Sequence, residues 1–166
     1  VTGQTGAYLA HHLLKHGYHV VGGSRDAATA DTSRLKRLGI DDRVELVSLA
    51  PADFRSVLQV IRASRPDEIY FLAGQTSVGL SFEQPFESFE SIGVATLNFL
   101  EAIRTLAADC RFFNAGSTEC FGDSPDALIT EESAMRPVSP YAVAKATSFW
   151  MTRNYRSSYG LFTCTG

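Results

Sequence analysis

The chain has 166 residues, 45% of them hydrophobic, enough for one unit with a buried core. A formal net charge of −3 gives no electrostatic reason to expect nucleic acid or an anionic membrane as partner, and no apolar run is long enough to span a bilayer. Cys110, Cys120 and Cys164 are odd in number and lack metal-type spacing, which suits reduced thiols in a cytoplasmic location better than a disulfide framework.

In chain order, Val1-Thr2-Gly3-Gln4-Thr5-Gly6 reads as a glycine-rich turn running directly into a helix. Such a turn lets backbone amides approach a pyrophosphate at a helix N-terminus, so Gly3, Gln4, Thr5 and Gly6 are candidate cofactor contacts. The helix, over 6–16, carries Tyr8, Leu9, Leu13 and Leu14 in helical spacing and stops at Gly17. A third glycine and a first strand are expected ahead of residue 1, and the chain stops at Gly166 inside a strand-like run. The chain is therefore expected to be a piece truncated at both ends. His11, His12, His16 and His19 fall close together. A polar outer helix face is favoured over a metal site there, since no Cys or carboxylate is near in sequence.

A short strand is predicted over 19–23, a helix over 31–38 and a strand over 44–49. Arg25 ends the first of these. A basic residue there accommodates the 2′-phosphate of NADP, whereas Asp26 beside it could serve the ribose hydroxyls of NAD; NADP is favoured and NAD stays open. Asp53 is placed to cap a helix with Phe54, Val57, Leu58 and Ile61 on one face, ended by Pro66. A buried strand follows over 68–73. A longer helix over 92–107 has Leu97, Leu100 and Ile103 inward, and a strand covers 111–115. The stretch 123–140 holds Pro125, Pro137 and Pro140 and is expected to loop over the sheet edge near the site. A helix over 141–159 and a strand from 161 complete the chain. This alternation predicts an α/β fold, a doubly wound parallel sheet of Rossmann type with helices on both faces.

The segment Ser117-Thr118-Glu119 follows a strand, and Tyr141-Ala142-Val143-Ala144-Lys145 opens a helix. Tyr141 and Lys145, at i and i+4, share one helix face, and an ammonium there favours the phenolate that a tyrosine base needs. The Ser117 hydroxyl could share the moving proton. Glu119 adds a second acid/base, which an elimination needs and a simple alcohol oxidation does not. The competing view of Glu119 is a solvent-facing carboxylate at a strand end. Cys120 is read as a buried free thiol, not a nucleophile.

Taken together these residues resemble the extended short-chain dehydrogenase/reductase family, and within it the GDP-mannose 4,6-dehydratases, over essentially the whole chain. Gly3-Gln4-Thr5-Gly6 is similar to the family's Gly-Gln-Asp-Gly, Arg25 to its Arg after the second strand, and Asp31-Thr32-Ser33-Arg34 to its Asn-Thr-x-Arg. Leu72-Ala73-Gly74-Gln75-Thr76, running on to Ser81-Phe82-Glu83, resembles the strand and loop beside the nicotinamide. The family's Thr-Ser-Glu corresponds to Ser117-Thr118-Glu119, and Ser-Pro-Tyr-Ala-Val-Ala-Lys at 139–145 is the most specific local match. Where the family often has an Asp-hydrophobic pair against the adenine, Ala50-Pro51 can neither accept from the adenine amino group nor donate an amide.

The resemblance implies a nucleotide-sugar substrate and bound NADP, with 1–166 as the NADP-binding fragment that lacks its first strand and its C-terminal substrate part. It implies Tyr141 with Ser117 as the base for the sugar 4-hydroxyl, Glu119 as the base for C5, and Lys145 on the nicotinamide ribose. No metal is implied. The chain alone is expected to be inactive, and a homo-oligomer, a dimer or tetramer, is expected, with Phe149 and Trp150 as packing or subunit contacts. A 4-epimerase of the same family and a dehydratase for another nucleotide sugar such as dTDP-glucose are the alternatives.

Overall fold

The computed structural model describes residues 1–124 and 128–166. It contains five strands, β1 (Val20–Ser24), β2 (Val44–Ser48), β3 (Glu68–Phe71), β4 (Arg111–Asn114) and β5 (Thr163–Thr165). The helices are α1 (Gln4–Lys15), α2 (Ser33–Arg37), α3 (Phe54–Ser64), α4 (Val78–Glu83), α5 (Pro85–Phe89), α6 (Ala95–Leu106) and α7 (Pro140–Tyr159). Every strand pairing is parallel, which requires a crossover between partners, and a helix lies in each connection.

The alternation expected from the sequence is present, but its strands are hydrogen-bonded as two sheets. β1 pairs with β2, and β4 lies between β3 and β5. Among the described residues no ladder joins β1 to β3. The edge of β1 is instead met by the Val1 amine, which donates to the Gly23 carbonyl at 3.0 Å. Side chains make the crossing at the other end, where the Tyr18 hydroxyl donates to Glu68 Oε1 at 3.5 Å.

Two cores result. Val20 and Val44, partners in the β1–β2 ladder, pack with Ala7, Ala10 and Leu14 of α1 and Leu35 of α2. The larger core joins Phe71 and Phe112 of the second sheet to Val57 and Ile61 of α3, Phe99, Leu100 and Ile103 of α6, and Tyr155 of α7. Gly23 turns the other way from Val20 and meets Leu49, which packs on this larger core, so helices lie to both sides of the strands. Three expected inward residues point out. Tyr8, Phe54 and Leu97 are exposed: small Ala7 and Ala10 let α1 approach its sheet closely, Val57 and Ile61 supply the buried face of α3, and Thr96 with Phe99, Leu100 and Ile103 that of α6.

The helix expected over 92–107 begins as a π-helical turn, Glu90–Val94, continuous with α5 before it and α6 after it. The loop before α7 meets the turn that follows β4: the Arg136 amide donates to the Cys120 carbonyl at 2.9 Å. Gly122, at φ +50, passes so close to the Arg136 carbonyl that no Cβ would fit. Pro125 lies outside the described residues, and Pro140 is the first residue of α7.

Candidate active site

β4 delivers the site. Beyond Asn114 the chain runs through Ala115 and Gly116, where Gly116 donates its amide to the Gly166 carbonyl at 2.7 Å. Ser117 then caps a 3₁₀ turn, Thr118–Phe121, its hydroxyl accepting the Glu119 amide at 3.3 Å. Thr118 and Glu119 are left exposed, while Cys120 is buried with its thiol toward the Ala142 carbonyl, 3.9 Å away. That contact docks the turn on the first turn of α7. Burial pushes the Cys120 thiol upward, more than the nearby Lys145 ammonium pulls it down, which suits a packing role.

α7 starts where Ser139 accepts the Ala142 amide at 3.1 Å and Pro140 occupies the first helical position. Tyr141 is therefore fixed within the first turn. It is buried against Ile92 and Ala144, with Val78 alongside. Lys145 is 7% exposed, and its Nζ donates to the Ala115 carbonyl at 2.7 Å and stands 5.9 Å from the centre of the Tyr141 ring. Desolvation lowers the Lys145 pKa from its usual 10.5, with a smaller opposing effect from Cys120. An ammonium has three donors, so one bond to Ala115 leaves two for a ligand.

The Leu72–Thr76 loop reaches the same place. Gly74, at φ +130, carries no Cβ where one would press on Ile92 at 2.9 Å, and Ile92 is the residue packed on Tyr141. Gln75 donates its amide to Ser91 and its side-chain nitrogen to the Ser77 carbonyl, while its buried Oε1 has no partner among the described residues.

The glycine turn offers a second subsite. Gly3 caps α1 with no side-chain hydrogen bond, and the first turn holds no acidic residue, so its leading amides and the positive end of the helix remain for an anion. A Cβ at Gly6 would press on the Val1 carbonyl at 2.9 Å, so this glycine lets helix and incoming chain lie together. Arg34 spans back to the Thr2 carbonyl at 3.3 Å. Arg25 is exposed, whereas Asp26 is occupied within its own loop. Its carboxylate accepts from Thr29 and from the Ala28 amide, bonds that hold it below the usual carboxylate range. These residues fit the diphosphate of a dinucleotide. Ala50 and Pro51 form a fixed corner, the Ala50 amide donating to Ser56 and the Pro51 carbonyl accepting from Asn98.

The structure thus puts Ser117 and Glu119 beyond β4 and the Leu72–Thr76 loop beyond its parallel neighbour β3, at the sheet end where α7 brings Tyr141 and Lys145, with Gly3–Gly6 and Arg25 at the first sheet. The histidines lie elsewhere: His16 Nδ1 bonds the His12 carbonyl, and His19 pairs with Glu45 at 3.3 Å. Sequence reasoning missed the Ala115 carbonyl, Cys120 as the docking contact, and Ile92. Only Cys120 gave a signal, as a free thiol read from the sequence as buried.

Parallel strands with helical crossovers, an uncapped glycine turn and a buried Tyr–Lys pair define an extended short-chain dehydrogenase/reductase. A family model described as GDP-mannose 4,6 dehydratase matches residues 1–166, and the chain belongs to that family. It is 36% identical to a GDP-mannose 4,6-dehydratase of Vibrio cholerae and 38% identical to GDP-mannose 4,6 dehydratase 2 of Arabidopsis thaliana, over 100% of this chain and 46% and 47% of theirs. The chain therefore spans about half the length of these relatives. Among solved structures, a UDP-glucose 4-epimerase of Thermus thermophilus in complex with NAD matches with TM-score 0.85 at 29% identity, over 99% of this chain and 51% of that one. The dTDP-glucose 4,6-dehydratase DesIV of Streptomyces venezuelae shares the fold, at TM-score 0.85 and 23% identity over 99% of this chain and 52% of that one.

Proposed function

We propose that the complete protein is a nucleotide-sugar 4,6-dehydratase, a hydro-lyase acting on GDP-mannose, and that residues 1–166 are its NADP-binding part. The observation that carries this reading is the buried Tyr141–Lys145 pair set beside a strand end that presents both the Ser117 hydroxyl and the exposed Glu119 carboxylate. NADP is favoured over NAD because Asp26 is tied within its own loop while Arg25 is exposed for a 2′-phosphate. The diphosphate would lie on the Gly3–Gly6 turn and the nicotinamide near Leu72–Thr76 and Lys145.

Bound there, the nicotinamide supplies a reversible hydride acceptor, so the overall reaction is redox-neutral. Tyr141 takes the proton of the sugar 4-hydroxyl, with Ser117 sharing that hydrogen bond. The Lys145 charge favours negative charge developing on the Tyr141 oxygen. The 4-ketone acidifies the C5 proton, Glu119 removes it and passes a proton to the departing C6 hydroxyl, which leaves as water. Return to C6 of the hydride taken from C4, with a proton at C5, then completes the 4-keto-6-deoxy sugar and restores the oxidised cofactor. The partner chain is a second copy of the protein, and the reading places the enzyme in the cytoplasm. The 166 residues alone are expected to show no turnover.

The test is incubation of the complete protein with catalytic NADP or NAD and with GDP-mannose, dTDP-glucose or UDP-glucose, read by mass spectrometry. Loss of one water from GDP-mannose, reduced at least about 100-fold by Glu119→Gln, is expected. The likeness to a 4-epimerase supplies the second reading, and an isomer of unchanged mass would establish it instead.

A further inference from the structure

α7 crosses β4 on a run of buried polar groups that the proton chemistry above does not use. Asn114 is 1% exposed, Ser148 0%, Thr152 1% and Thr163 2%. Asn114 Nδ2 donates to Ser148 Oγ at 3.2 Å, and Ser148 Oγ donates to the Lys145 carbonyl at 2.8 Å. Thr152 Oγ1 donates to the Ser148 carbonyl, and Thr163 Oγ1 on β5 donates to the Thr152 carbonyl, each at 2.8 Å. Elsewhere the contact between this sheet and its helices is made mainly by apolar residues such as Phe71, Phe112, Leu100 and Ile103. Replacing both members of a buried hydrogen-bonded pair by apolar groups of like shape is close to neutral for stability. Stability therefore does not call for polar groups here; what they add is directional register.

Register matters because each bonded residue has a neighbour in the candidate site. Asn114 precedes Ala115, whose carbonyl receives Lys145 Nζ, and Ser148 lies one turn beyond Lys145 on α7. Two successive residues at the end of β4 are thus held by two α7 residues a turn apart. One bond would leave the helix free to rotate about it, whereas two oppose both rotation and sliding. A rotation that swung Ser148 off Asn114 would carry Lys145 and Tyr141 with it.

We propose that Asn114 and Ser148 are positioning residues that hold Lys145, and with it Tyr141, in register with the strand end bearing Ser117 and Glu119. The proposal rests on the reading of that group as the dehydratase machinery. Its test uses the complete enzyme with Asn114→Leu, Ser148→Ala and the double variant. Asn114→Leu keeps the side-chain size and leaves the Ser148 hydroxyl bonded to the Lys145 carbonyl, so it carries the test even if Ser148→Ala does not fold. A kcat lowered roughly 10- to 100-fold, with KM for GDP-mannose within about threefold, is expected for the single variants. The calorimetric Kd for NADP is expected to rise about fivefold, the equivalent of one net hydrogen bond at Lys145.

In the double variant the melting temperature is expected to return toward that of wild type while kcat and the NADP Kd do not. Recovery of kcat together with melting temperature would overturn the proposal. So would single variants that melt earlier yet keep kcat per folded molecule and NADP affinity. Should wild type remove no water from GDP-mannose, the dehydratase reading fails and the NADP Kd alone decides: raised in Asn114→Leu it supports the clamp, unchanged it ends it.

Discussion

Lys145 shows how far a single residue can be read in advance. Its relation to Tyr141 is local, since i and i+4 share a helix face whatever the helix packs on. Its bond to Ala115 is not, because that carbonyl is 30 residues away in sequence and is brought near only when α7 lies along β4. Burial at that contact has a measurable consequence. The folded protein releases the Lys145 proton below the usual value of 10.5, so across the interval between the two values the unfolded chain binds more protons. Stability must then rise with pH through that interval, while below it both states are protonated and the full cost of burying the charge remains. Relative to Lys145→Met, which has nothing to titrate there, the wild-type protein is expected to gain stability in urea unfolding as the pH rises through the range just below 10.5. A gap between the two proteins that stays constant over that range would refute the buried, charged state of this lysine.

At the scale of elements, legibility followed the punctuation. α3 was announced at both ends: Asp53 accepts the Arg55 amide at 2.9 Å as its cap, and Pro66 follows Arg65, which closes the helix in the left-handed region at φ 44. α7 was expected over 141–159 with Pro140 in the loop before it; the structure starts it at Pro140 behind the Ser139 cap and ends it at Gly160, φ 70. α4 and α5 were not legible because their pattern is inverted. Their buried positions are Ser81 and Ser88, and their large apolar residues Phe82, Phe86 and Phe89 face outward, so no apolar period points to a core. The serines work there because each hydroxyl turns back to its own helix, Ser81 to the Val78 carbonyl and Ser88 to the Gln84 carbonyl. The α7 cap also bears on the site. Ser139→Ala removes the acceptor for the Ala142 amide one residue from Tyr141, and a loss of about 1 kcal/mol is expected in denaturant unfolding. Asp at this position keeps a side-chain acceptor and is expected to restore that loss, which an effect unrelated to capping would not allow.

Across the whole molecule, the same inversion leaves apolar surface that neither core claims. Phe86 is 78% exposed on α5, which packs against α7, and on α7 itself Trp150 is 53% exposed with Val143 one helix stripe away. Trp150 meets Phe149 edge-on at 5.3 Å and lies under the Arg153 guanidinium, so it is held in place yet open to solvent. A half-exposed tryptophan contributes little to folding the chain but much to association, since large aromatic side chains carry disproportionate interface energy. In a two-fold dimer one substitution also acts twice, once from each copy. Trp150→Arg in the complete protein is therefore expected to leave the circular dichroism spectrum and melting profile of the fold in place while shifting the mass found by light scattering from an assembly to the monomer. An assembly that keeps its mass after that substitution would place the contact between copies away from this face of α7.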